Sequence, residues 1–254
     1  TDGREVLEEA ELDLEVGLVG DNWLERGSSR TADGSAHPEM QLNVINARLL
    51  DLLFLLPILL LSMMAHEVAH GYVAFKMGDP TAKAYGRLTA NPLRHLDLVG
   101  TAMFVLTYLG GGFIFGWAKP VPVNPYYFRN RQQGMMIVGL AGPVTNFLIA
   151  ITLGLILNFL HPAVNTLLFR ILFVAFQVNI VLGVFNLIPI PPLDGSRVIG
   201  GFMSRDRYER WIQLDRYGIF FILLLFIVFR GPFTSLLRWA YLGISRLLLP
   251  YYFG

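Results

Sequence analysis

The sequence predicts an all-α polytopic membrane protein, with a short re-entrant or β-like membrane-associated segment between the first and second core helices. Its 254 residues are 54% hydrophobic and only 15% charged, with a mean hydropathy of +0.51, whereas a soluble domain carries about 25% charged residues. Several apolar runs reach the roughly 20 residues that a helix needs to cross a bilayer. One run, from Leu98 to Trp117, is interrupted by Gly100, Thr101, Thr107 and the triplet Gly110-Gly111-Gly112, and glycine is a poor helix interior but a natural turn. Basic residues flank that run on both sides, Arg94 before it and Lys119, Arg129 and Arg131 after it. Bases gather on one membrane face, so the segment is expected to dip in and return. Non-helical backbone at membrane depth is tolerated only where protein covers it or water reaches it, which suits the rim of a site.

The elements follow in order. Residues 1–46 read as an acidic extramembrane appendage and residues 47–254 as the membrane domain. The first 40 residues hold eleven of the 19 acids and three of the 20 bases. Turns are expected at Arg26-Gly27-Ser28-Ser29 and Asp33-Gly34-Ser35, and alternation at Leu12, Leu14 and Val16 suggests a short strand. The stretch from Gly20-Asp21-Asn22-Trp23 to Gln41-Leu42-Asn43 weakly resembles the opening of MOSC domains, a partial match without the rest of such a domain. Leu49 to Lys76 forms the first helix. A basic loop leads to the dip, and Gly134 to Leu160 spans. His161-Pro162 is a link so short that residues 163–188 must form an antiparallel neighbour. Pro189, Pro191 and Pro192 end that helix. A crossing is expected at about 214–230, then a break at Gly231-Pro232. The final apolar segment holds Arg238 and Arg246 and is expected to lie partly in the interface. Placing the basic loops on the cytoplasmic face leaves the acidic N-terminal region outside. Bases that flank membrane segments orient them, so no nucleic-acid role is read into these. The absence of cysteine excludes disulfides and thiolate ligands, and any metal must be held by His, Asp or Glu.

From Leu52 to Phe75 the only residues that can carry charge near neutral pH are His66, Glu67 and His70. Such groups at membrane depth are costly and seldom idle. In the string His66-Glu67-Val68-Ala69-His70 the two histidines share one helix face and can grip one metal ion, with Glu67 as a general base. The plainer alternative is a histidine pair hydrogen-bonded between helices. A catalytic zinc usually has three protein ligands. His37 lies in the appendage, His161 in a link on the opposite face and His95 in a basic loop, so each reads as solvated or interfacial. Asp51 is about four turns from His66 on the same helix. Asp79, Asp97, Asp206, Glu209 and Asp215 lie among loop bases and read as solvated charge. Asp194 follows a proline-broken helix where it reaches the cytoplasmic side. If the 98–117 segment dips, that helix runs parallel to the first, and both ends arrive at one depth. Asn146, Gln177 and Asn179 could line a cavity there, or hydrogen-bond between helices.

Three motifs stand in order: His66 to His70, Ala141-Gly142-Pro143-Val144-Thr145-Asn146, and Asn186 to Gly195 with its Asn-Leu-Ile-Pro-Ile-Pro-Pro-Leu-Asp-Gly string. Together they resemble the site-2 protease family of intramembrane zinc metalloproteases. Gly86 to Pro92 and Gly116 to Pro125 resemble its compact prokaryotic branch. The resemblance covers roughly residues 49–230, and no PDZ domain interrupts the chain. It implies one Zn2+ held by His66, His70 and Asp194, with Glu67 catalytic. It also implies that Asn186 touches the substrate or the reaction intermediate, and Asn146 is a second candidate for substrate or oxyanion contact. The implied partners are the lipid bilayer and membrane-protein substrates with a transmembrane segment, cleaved in a prokaryotic cell membrane by a site facing the cytoplasm. A structural or inactive zinc site is the competing class. An ion transporter is another, although the sequence shows no internal repeat.

Overall fold

The computed structural model describes residues 38–110 and 115–253. The expected strand at Leu12 to Val16, nearly all of the MOSC-like stretch, and Gly111 and Gly112 lie outside the described residues.

Three long helices make the core: α1 (Pro38–Lys76), and, after several short elements, Arg131–Leu160 and Leu167–Asn186. Each is long and apolar enough to cross a membrane. Helix α1 begins before residue 47, so the boundary expected between residues 46 and 47 falls inside a helix. A single turn, α2 (Thr81–Ala84), follows, and then α3 (Leu98–Gly110).

Helix α3 has 13 residues, about 20 Å of rise, and cannot traverse a hydrocarbon core of about 30 Å. Beyond it the chain doubles back. Phe115 N donates to Thr107 Oγ1 at 3.0 Å, and Lys119 N donates to the His95 carbonyl at 2.9 Å. Gly100 and Gly116 mark where the two arms touch. A Cβ on Gly100 would stand 2.1 Å from the Trp117 carbonyl oxygen, and one on Gly116 would stand 2.7 Å from that of Gly100. Entry and exit therefore lie side by side, the geometry of a re-entrant segment. No strand is present among the described residues, so the return arm is irregular chain rather than β-sheet.

Helix α4 (Arg131–Leu160) is capped by Asn130, whose side chain accepts from Gln133 N, and α5 (Leu167–Asn186) by Thr166, which accepts from Phe169 N. Helix α4 lies between α1 and α5, its glycines and Asn146 facing inward. Helices α1 and α5 run in the same direction. Asp51 pairs with Arg170 near their starts, and Ser62 Oγ accepts from Asn179 Nδ2 at 2.9 Å further along. The shared direction follows from the re-entrant segment adding no crossing.

After α5 come α6 (Asp194–Gly200), α7 (Arg205–Ile212), α8 (Gly218–Ile227), α9 (Arg230–Leu248) and α10 (Pro250–Phe253). The segment expected to cross at 214–230 ends a helical run, Arg205–Ile227, that bends by 84° into α9 and together with it is long and apolar enough for one broken span or a re-entrant loop. It is the last segment that lies along α5, antiparallel to it. Phe233 meets Phe185 at 6.0 Å between ring centroids, Gln177 Nε2 donates to Tyr241 Oη at 3.1 Å, and Phe253 meets Phe173 at 6.2 Å. The arginines that made α9 look interfacial fall outside its buried stripe of Phe233, Leu237, Tyr241 and Ser245, a four-residue repeat that lies on one helix face.

Candidate metal centre

His66 and His70 sit one turn apart on α1, and both are buried. Asp194 opens α6. The chain reaches it through the tight Ile188–Leu193 turn, closed by Leu193 N donating to the Ile190 carbonyl at 2.9 Å. Three further contacts hold α6 in place. Gln132 of α4 donates to the Gly200 and Met203 carbonyls, Trp211 Nε1 donates to the Ser196 carbonyl, and Arg197 pairs with Asp215.

Two imidazoles and one carboxylate thereby converge from positions 128 residues apart. His66 Nε2 lies 3.0 Å from Asp194 Oδ2, His70 Nε2 lies 3.2 Å from the same oxygen, and the two Nε2 atoms are 3.0 Å apart. Ligands at about 2.0–2.1 Å in a tetrahedron are about 3.3 Å from one another, so this triangle needs to open by only a few tenths of an ångström to hold zinc. The other ring nitrogens are already engaged. His66 Nδ1 is 2.6 Å from Asn146 Oδ1 and His70 Nδ1 is 2.7 Å from the Val138 carbonyl. Both acceptors require a proton on Nδ1, which leaves each Nε2 lone pair facing the centre, the tautomer that a metal ligand needs. Among the described residues these three form the one His/Asp/Glu cluster of metal-ligating geometry.

Asn146 sits differently from the substrate or oxyanion contact expected of it. It is wholly buried, accepts from His66, and donates its Nδ2 to Asn179 Oδ1 at 2.9 Å. Asn179 in turn donates to Ser62 Oγ and to the Ala175 carbonyl. Asn146 therefore stands behind a ligand and does not line an open cavity. Asn186 is half-buried at the end of α5 and donates its Nδ2 to the Leu182 carbonyl on its own helix. Glu67, half-buried, accepts at Oε2 from Val121 N at 2.8 Å, which ties it to the return arm of the re-entrant segment.

Of the other candidates, His161 is exposed in its link. His95 is buried rather than solvated, with its Nε2 3.1 Å from the Thr89 carbonyl. Asp79 is also fully buried rather than solvated, because Thr81 N, Thr81 Oγ1 and Asn124 N all donate to it. Sequence reasoning missed Val121 as a partner of Glu67, and it held Gly142 in the Ala141–Asn146 motif without showing that it clears the metal centre. A Cβ on Gly142 would lie 2.5 Å from Nε2 of both His66 and His70, so only glycine lets α4 pass the centre.

A bundle of membrane-length helices with two histidines and an aspartate meeting beside a glutamate defines a membrane-embedded metallohydrolase. Comparison with known proteins takes this further. Residues 161–229 match peptidase family M50. YwhC of Bacillus subtilis, named as a candidate zinc metalloprotease, is 38% identical over 76% of this chain and 87% of its own. Rip2 of Mycolicibacterium smegmatis, named likewise, is 29% identical over 72% of this chain and 68% of its own. Rip2 of Mycobacterium tuberculosis H37Rv is 27% identical over 74% of each. No solved structure matches. The chain belongs to this family, the site-2 proteases, and is an integral membrane metalloprotease of that type.

Proposed function

We propose that this protein is a zinc-dependent endopeptidase that cuts peptide bonds in or near the transmembrane segments of membrane-protein substrates, as a step of regulated intramembrane proteolysis. Zinc is held by His66 Nε2, His70 Nε2 and Asp194 Oδ2, toward the cytoplasmic side of a prokaryotic cell membrane. The observation that carries the reading is the meeting of those three atoms within 3.2 Å of one another, with both histidine Nδ1 atoms anchored behind.

When bound, zinc supplies Lewis acidity to the scissile carbonyl and makes water a stronger acid. The chain supplies the rest. Glu67 takes the proton from the attacking water and returns it to the leaving amine, since the same carboxylate serves as base and then as acid. Its Oε2 is held by Val121 N, which leaves Oε1 free for the proton. Asn146 fixes the His66 ring, and the Asn146–Asn179–Ser62 chain fixes Asn146. Asn186, at the mouth of α5, is placed to donate to the substrate once its hydrogen bond to Leu182 is exchanged. A substrate helix hides its peptide bonds in its own hydrogen bonds, so it must unwind to present one here.

The test is Glu67→Gln in the purified full chain, assayed on a single-span reporter whose transmembrane segment carries a helix-breaking Asn-Pro pair. Cleavage is expected to disappear while zinc remains at one per chain. Retained cleavage would refute Glu67 as the base, whereas a native chain that holds zinc without cutting the reporter would leave a structural zinc site as the better reading.

A further inference from the structure

The return arm carries Lys119-Pro120-Val121-Pro122. Proline has no backbone N–H, so the prolines on either side leave Val121 as the one donor between Lys119 and Val123, and that donor is spent on Glu67 Oε2 at 2.8 Å. The arm has no sheet to hold it in register. It is held instead by Arg87, a buried residue whose Nη2 donates to the Lys119 carbonyl at 2.6 Å and reaches the Pro120 carbonyl at 3.4 Å. Those two carbonyls are the acceptors immediately before the Val121 amide. The Arg87 backbone is itself fixed by its N–H to the Ala82 carbonyl at 2.9 Å. A second tie, Lys119 N to the His95 carbonyl, keeps the arm from sliding. A guanidinium is costly to bury, and this one is aimed at backbone rather than at a carboxylate.

Resting on the assignment of Glu67 as the base, we propose that Arg87 is a positioning residue for catalysis: through the Pro120–Val121 backbone it holds the Val121 N–H on Glu67 Oε2 and so aims Oε1 at the attacking water. A charged guanidinium with several donors suits a double carbonyl grip, and a single ammonium matches it only in part. The contact would act on turnover rather than on substrate affinity, because the arm touches the base and not the metal ligands.

Val121→Pro tests the step directly. It removes the N–H from a chain already flanked by prolines, while Val121→Ala keeps the N–H and loses only the side-chain packing. With the single-span reporter, Val121→Pro and Arg87→Gln are expected to lower kcat by about 100-fold, the scale of a misaimed reacting group, with KM and zinc content unchanged. Val121→Ala, which keeps the N–H and loses only packing of a buried side chain, should lose clearly less than Val121→Pro, and Arg87→Lys should recover part of the loss. A readout independent of turnover is the Val121 amide in the 15N-valine-labelled protein, assigned by its disappearance in Val121→Ala. Its slow exchange with solvent should be lost in Arg87→Gln and in Glu67→Ala. Native kcat in Val121→Pro, or a Val121 amide still protected in Arg87→Gln, overturns the proposal. A fall in Val121→Ala equal to that in Val121→Pro would also overturn it by assigning the effect to packing. None of these results would bear on Glu67 itself, which is tested separately by Glu67→Gln.

Discussion

His66 and His70 can serve as metal ligands only if their rings are held in one tautomer and one rotation, and the groups that hold them lie on α4. Removing such a partner behind a metal ligand typically weakens binding 10- to 100-fold. Asn146→Leu keeps the volume and removes the acceptor from His66 Nδ1, and it also strands the Asn179 oxygen that Asn146 now donates to. Zinc affinity of the Leu variant, measured by chelator competition in detergent, should therefore fall by about that factor, and Asn146→Asp, which restores an acceptor, should bind more tightly than Leu. Unchanged affinity in the Leu variant would remove Asn146 from the centre. Gly142→Ala asks a steric question at the same place. A methyl 2.5 Å from both Nε2 atoms must push α4 or the rings aside, and zinc content at limiting metal should drop while the helices remain intact by circular dichroism. Gly142 and Asn146 stand in a sequence motif, but the atoms each one meets are not visible in it. His66, Glu67 and His70 are legible because a helix turns a four-residue spacing into a shared face, and Asp194 is legible because prolines stop the helix before it. The Asn146–Asn179–Ser62 chain joins three helices, and no local periodicity records which polar residues of separate helices will meet.

The loop elements between α1 and α4 show a different limit of sequence reading. Charges in a basic loop suggest solvation, yet Asp79 is buried by donors from Thr81 and Asn124, and His95 is buried with its Nε2 on the Thr89 carbonyl. Composition gives the polarity of a loop but not whether its own backbone will satisfy it. For His95 this has a pH consequence. Burial lowers its pKa below the ordinary 6.5, opposed by the Thr89 carbonyl and the Glu67 carboxylate and assisted by the nearby Arg87 cation. The folded state thus binds the proton less readily than the unfolded chain. Above the ordinary value both states are neutral and stability does not depend on His95, and as pH falls below it the loop is progressively destabilised. Amides of residues 87–95 and 119–121 should exchange faster at about pH 5 than at about pH 7.5 once corrected for intrinsic rates, and His95→Gln, which cannot be protonated, should suppress the difference. The same rate ratio in His95→Gln and in the native chain would exclude His95 as the source. The C-terminal helices carry the opposite lesson. Three arginines in α9 lowered its apparent hydropathy, whereas its buried four-residue stripe, which packs it on α5, was the better guide.

For the whole molecule, everything at the centre depends on the number of crossings between α1 and α5. With α4 as the one full crossing between them, α1 and α5 run parallel, and Asp51 reaches Arg170 while Asn179 reaches Ser62. A second full crossing would reverse α5, part those pairs and carry Asp194 to the opposite face from His66. The chain has no cysteine, so single cysteines can be read without background. Leu93→Cys and Arg129→Cys flank the re-entrant segment at exposed positions, Arg207→Cys lies on exposed α7, and Ala163→Cys lies in the exposed link between α4 and α5. A membrane-impermeant maleimide is expected to label the first three from the cytoplasmic side, in inverted vesicles, and Ala163→Cys only from the outside, in intact cells. Labelling of Leu93→Cys and Arg129→Cys from opposite faces would mean that α3 and its return arm cross after all. In that case no rotation of side chains could bring Asp194 back to His66 and His70, because a hydrocarbon core of about 30 Å would lie between them.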